Sequence, residues 1–168
     1  MKQISILFTK HKGFNLFSSA IMWGTSAPFS HVAVQMTDSD TGQTVIYQAS
    51  GLAVNCVCQE ELLNVEDIVY QKDFQINDQA FIAGKSFLIA QLGKQYNISA
   101  IFGFAYQILM LKLFNKSVPN PARADGSEWV CSWLIAQFIN VADKDTLNVN
   151  EMTPIKLYEA VPNLPNNW

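Results

Sequence analysis

At 168 residues the chain is long enough to bury one core without disulfide or metal staples. Hydrophobic residues at 49% and charged residues at 15% exclude a disordered composition. A net charge of −3, with no run of Lys or Arg, argues against a nucleic-acid partner.

The opening stretch, Met-Lys-Gln-Ile-Ser-Ile-Leu-Phe-Thr-Lys, has too short an apolar part for a signal peptide. It reads as a first strand over 3–9, ended by Lys10, His11 and Lys12, with His11 expected at the surface. The expected location is the cytoplasm, or delivery without a cleaved signal, with an effector or phage-encoded role left open. Phe14, Phe17 and Ile21 recur near helical spacing over Phe14 to Trp23, and Gly24 is the expected stop. His31 to Thr37 alternates as a strand, Asp38 to Gly42 is a turn cluster, and Thr44 to Ser50 alternates again. Val54 to Val57 and Asp67 to Phe74 read as further strands, joined by a turn of helix around Glu60 to Leu63.

The second half turns helical. Asn77 or Asp78 caps a helix to Leu92, with Gly93 as its stop. Ile98 to Phe114 follows, apolar on most sides but short of the roughly 20 residues of a membrane span. It is expected to be a buried helix, with a lipid- or partner-facing surface as the alternative. Glu128 to Val141 is the third helix, its stripe made by Val130, Trp133, Leu134, Phe138 and Val141 and its start supplied with acids by Asp125 to Glu128. Trp129 and Trp133 flank Cys131, either shaping a cleft or packing the core. Thr153-Pro154 opens a last short helix, and 115–127, with Pro119 and Pro121, is the one long loop. Strands first and helices after them imply a single α+β domain over 1–168, an antiparallel sheet packed against helices.

Two residues stand where chemistry needs them. His31 opens a strand, and Cys131 lies near the start of a strongly apolar helix. A helix N-terminus and a neighbouring imidazolium both favour thiolate over thiol. A hairpin turn centred between Ser39 and Asp40 places Gln48 opposite His31 on the same sheet face, where its carboxamide can fix the imidazole tautomer. A slip of one residue sends Gln48 to the other face. Taken singly, Cys131 reads as a buried structural thiol and His31 as a strand-end histidine. Cys56 and Cys58 alternate and are expected to pack as strand residues; Cys-X-Cys is not a usual zinc spacing, and three cysteines do not make a disulfide framework.

Ser-His-Val-Ala-Val (30–34), Val-Ile-Tyr-Gln-Ala-Ser-Gly-Leu-Ala-Val (45–54), Gly93-Lys-Gln-Tyr-Asn97, the late Cys131-Ser-X-Leu-Ile and Thr153-Pro154 together resemble a circularly permuted NlpC-type papain-like cysteine peptidase. The order histidine, polar residue, cysteine is that of the permuted branch that includes lecithin:retinol acyltransferase-like proteins. The stretch from Asn15 to His31 is similar to that branch's helix-then-strand entry. The resemblance implies Cys131 as nucleophile, His31 as general base, Gln48 as the residue that orients it, and Tyr96 as a hydroxyl near the oxyanion site. Ala33 stands where the family often has Gly. It implies an amidase or peptidase acting on a peptide or acyl-amide, with cell-wall peptides as one class, and no metal or organic cofactor. An acyltransferase or thioesterase on lipid substrates, its acceptor groove walled by 98–114, and a non-catalytic binding module are the alternatives.

Overall fold

Strand β1 (Lys2–His11) lies between two antiparallel partners, and six consecutive residues, Ile4 to Thr9, are buried. Burial on both faces follows from helices on either side, which turns an alternating pattern into an apolar run. The computed structural model describes residues 1–38, 41–116, 118, 120–122, 126–143 and 147–164. The other strands are β2 (His31–Thr37), β3 (Thr44–Ser50), β4 (Ala53–Val57), β5 (Glu66–Ile76), β6 (Gln95–Tyr96) and β7 (Glu128–Trp129). They form one open sheet in the order β5-β1-β2-β3-β4-β6-β7, antiparallel except for the short β6–β7 pair. The helices are α1 (Leu16–Thr25), α2 (Gln59–Val65), α3 (Asp78–Gln91), α4 (Ile98–Phe114), α5 (Cys131–Asp143) and α6 (Pro154–Ala160). The expected α+β class therefore stands.

The larger core joins Ile4, Ile6, Phe8, Val32 and Val34 of the sheet to Trp133, Leu134, Phe138 and Ile139 of α5 and to Phe81 and Leu88 of α3. A smaller cluster of Leu7, Ala33, Ile46 and Leu62 lies on the other face under α2. Helices α3 and α5 pack closely because Gly84 leaves room for the Phe138 ring, which a Cβ at that position would overlap. Helix α6 is tied to the sheet by aromatic edges: Tyr158 meets Phe8 at 5.4 Å, Phe29 at 5.2 Å and Tyr70 at 4.9 Å between ring centroids.

Local signals set most element ends. Asn77, Asn97 and Thr153 cap α3, α4 and α6 by accepting from the backbone N–H three residues on, and Pro154 opens α6 as expected. Gly93 (φ 82°) terminates α3.

Five expectations are corrected. Helix α1 begins at Leu16 because the Asn15 side chain caps Ser18, and it runs through Gly24 to a left-handed Ser26. Helix α5 begins at Cys131, not Glu128, because Glu128 and Trp129 are drawn into β7. Cys58 is the N-cap residue of α2, and it and Cys56 are both exposed instead of packed. Val141 is partly exposed and leaves the α5 stripe. Helix α4 has the expected bounds but is not buried: Ile98, Phe102, Tyr106, Leu109 and Leu113 face outward. Exposed His11 ends β1. Ser39, Asp40, Pro119, Asp125 and the Phe17 side chain lie outside the described residues. Among the described residues no helix is long and apolar enough to cross a membrane.

Candidate active site

His31 is the first residue of β2, opposite Thr9 of β1, and Ser30 is held there by its N–H to the Thr9 carbonyl at 3.0 Å. The β2–β3 hairpin pairs Ala33, not His31, with Gln48, so the expected register is two residues out. An even offset keeps a residue on its face. Gln48 therefore still reaches the imidazole diagonally, with His31 Nε2 2.8 Å from Gln48 Oε1. A carboxamide oxygen can only accept, so Nε2 carries the proton and Nδ1 is left for the thiol. His31 and Gln48 are both buried.

Cys131 is placed by β7. Tyr96 pairs with Trp129 in the short parallel bridge, and the Asn97 N–H donates to the Trp129 carbonyl at 2.9 Å. The Trp129 indole N–H donates to Gln91 Oε1 at 3.1 Å, and its ring stands edge-on to Phe87. Trp129 and Trp133 are thus core residues, and the chain leaves the anchored Trp129 to start α5 two residues later. Cys131 is buried at that first position, and the first N–H groups of a helix have no acceptor within it. Ser132 Oγ donates to the Met152 carbonyl at 2.7 Å, fastening this end of α5 to the chain before α6.

The thiol and the imidazole meet. Burial pushes the Cys131 thiol up, but its hydrogen bond to His31, the imidazolium charge and the N–H groups of Val32 and Ser132 outweigh this and hold it below its ordinary range. Burial likewise works against charge on His31. The Glu66 carboxylate, then Cys131 and Gln48, overcome it and push the imidazole up to about 9. The pair is thus biased toward thiolate and imidazolium. Tyr96 joins the group: burial first, then the neighbouring sulfur to which it is hydrogen-bonded, raises its phenol well above its ordinary value and keeps it protonated.

Cys131 and Tyr96 open into a cavity of about 270 Å³ between α1, α4 and the start of α6. Ile21, Ile101, Phe104, Val118 and Val130 make its walls largely apolar, with Thr25, Gln107 and Glu151 as polar points. His31 and Gln48 are not among the lining residues. All four expected site residues, Cys131, His31, Gln48 and Tyr96, fall in one place.

Glu66 adds a fifth residue to the group, one that the sequence does not point to. It is the first residue of β5, receives the Thr9 hydroxyl as a hydrogen-bond donor, and Thr9 is His31's neighbour across the β1–β2 ladder. No local signal marks it, since its nearness depends on the pairing of strands far apart in sequence. Among the described residues no group of three or more His, Cys, Asp or Glu is placed to hold a metal. No protein-family model matches this chain. No curated protein matches it.

Proposed function

We propose that the protein is a cysteine hydrolase of the permuted papain-like kind, an amidase or peptidase with Cys131 as nucleophile. The supporting observation is the continuous relay from Gln48 Oε1 through the His31 imidazole to the sulfur at the head of α5. The Cys131 thiolate attacks an amide carbonyl, forming a C–S bond and moving the carbonyl electron pair onto oxygen. The Tyr96 hydroxyl and the Cys131 N–H are the donors at hand for that oxyanion. As the C–N bond breaks, the His31 imidazolium gives its proton to the leaving amine. Neutral His31 then takes a proton from water, whose oxygen displaces sulfur and releases the acid. Gln48 keeps the ring aimed throughout.

A second reading has its own support. The apolar walls of the cavity suit an acyl chain better than a charged peptide, which favours acyl transfer or thioester cleavage on lipid substrates by the same residues. Intact-protein mass spectrometry after exposure to cell-wall peptides and to acyl esters separates the two. Cys56 and Cys58 are exposed, so the experiment uses Cys56→Ser/Cys58→Ser protein to keep other thiols out of the count. An acyl adduct on Cys131 that is absent from Cys131→Ala is expected, and the substrate that forms it names the class. Full turnover by Cys131→Ala would overturn both readings.

A further inference from the structure

We propose that α1 and α4 together form a docking surface for an anionic lipid bilayer, with the mouth of the Cys131 cavity between them. Large apolar residues recur outward on α4 at helical spacing, Ile98, Phe102, Tyr106, Leu109 and Leu113, with Phe102 65% and Leu113 66% exposed and Lys112 the one charged side chain of the helix. On α1, Leu16 and Trp23 are 68% and 72% exposed on one side. A helix apolar on its inner and outer faces alike belongs in an apolar surrounding, and among the described residues nothing covers the outer face. The two helices are joined where Lys112 Nζ lies 4.1 Å from the Trp23 ring centroid and donates to the Trp23 carbonyl at 3.1 Å. A tryptophan beside a lysine is the pairing found at the level of lipid headgroups.

Charge selects the occupant. The chain has 14 Asp and Glu, yet residues 1–37 and 79–124, which contain both helices, have none. Exposed Lys10 and Lys12 precede α1, and exposed Lys112 and Lys116 lie at the end of α4. An acidic protein thus presents one apolar face on acid-free helices, with Lys112 and Lys116 at its end and Glu151 set back in the cavity wall, a complement of an anionic headgroup layer. A second copy would set these lysines against their own kind across a two-fold axis. Ile21 and Thr25 of α1 and Ile101 and Phe104 of α4 line the cavity from within, so docking would bring the bilayer to its rim. The docking surface stands apart from the thiol chemistry; only the delivery of a bilayer-borne substrate to Cys131 rests on it.

Sedimentation with vesicles of phosphatidylcholine and phosphatidylglycerol, against vesicles of phosphatidylcholine alone, tests the surface. The full chain is expected to sediment with the mixed vesicles, less with the neutral ones, and less again as salt rises. Lys112→Gln/Lys116→Gln should weaken binding to the mixed vesicles about five-fold for each charge removed. Phe102→Glu/Leu113→Glu, with neither residue lining the cavity, should lose ten-fold or more while keeping its circular dichroism and its rate of Cys131 alkylation by iodoacetamide. No sedimentation, or sedimentation indifferent to both variants, overturns the proposal. So does a dimer in solution that Phe102→Glu/Leu113→Glu separates, which would assign the face to a second copy. Persistent vesicle binding with an ordinary Cys131 alkylation profile would instead leave the surface standing and remove the thiol chemistry.

Discussion

His31 is held charged by three neighbours from two strands and a helix, Glu66, Gln48 and Cys131, and each can be removed separately. Because its folded-state value of about 9 lies above its ordinary 6.5, its charge stabilises the fold fully below about pH 6.5, and that contribution is lost as pH rises through about 9. The stability gap between the protein and His31→Gln should therefore shrink over that interval in denaturant titrations at stepped pH. The thiol moves the other way. Alkylation of Cys131 by iodoacetamide should already proceed below the ordinary thiol range, with a second step near pH 9 where the imidazolium discharges. Glu66→Gln removes the largest contribution that raises the histidine, so the upper step should move to lower pH while the fold persists. Gln48→Ala leaves Nε2–H buried without its partner, at a cost of about 1–3 kcal/mol, and should slow alkylation at neutral pH by freeing the ring to turn. An unchanged pH profile in Glu66→Gln would show that the carboxylate does not act on His31.

Among the elements, α4 shows how a helix can be legible in its bounds and illegible in its surroundings. Asn97 and Asn115 close it at both ends, and the expected range of 98–114 holds. Its apolar composition pointed inward by default, because a one-dimensional pattern with no polar face names no exposed side. The inner side is set by Gly103, where a Cβ would overlap Asn120, whose Nδ2 donates to the Ala100 carbonyl at 3.0 Å and whose Oδ1 accepts from the Ala122 N–H at 3.0 Å. Gly103→Ala should displace Asn120 and its segment, costing about 1–3 kcal/mol and altering the cavity that Val118 helps to wall. A thermal melt and a 1H–15N spectrum would register both effects, and unchanged 118–122 resonances would contradict the prediction. The start of α5 departs from its expected position for a similar reason. Glu128 and Trp129 carry no strand signal of their own, and only the bridge to Gln95 and Tyr96 withdraws them from the helix.

Over the whole molecule, the site is a junction of distant segments. The sheet supplies His31 and Gln48, β7 and α5 supply Cys131, and α6 returns to pack Tyr158 on Phe8, Phe29 and Tyr70 beneath the strand that begins at His31. Tyr158→Ala should cost about 2–4 kcal/mol by emptying that aromatic cluster, lowering the melting temperature by roughly 5–15 °C. A loss below about 1 kcal/mol would mean that α6 is not docked as described. From sequence alone came the α+β class, six helices, the positions of the longer strands along the chain, the caps at Asn77 and Thr153, and the four residues expected at the site. The elements and caps follow from periodicity and capping, local properties of the chain, whereas Tyr96 is expected at the site only through the family resemblance. Gln48 survived a wrong register only because the offset was even and preserved its face. The tertiary structure alone decided the rest: the diagonal contact of Gln48 with His31, the Glu66 carboxylate behind it, the first turn of α5 at Cys131, and the open outer face of α4. Each depends on which strand lies beside which, and the burial of an apolar helix depends on what remains to cover it.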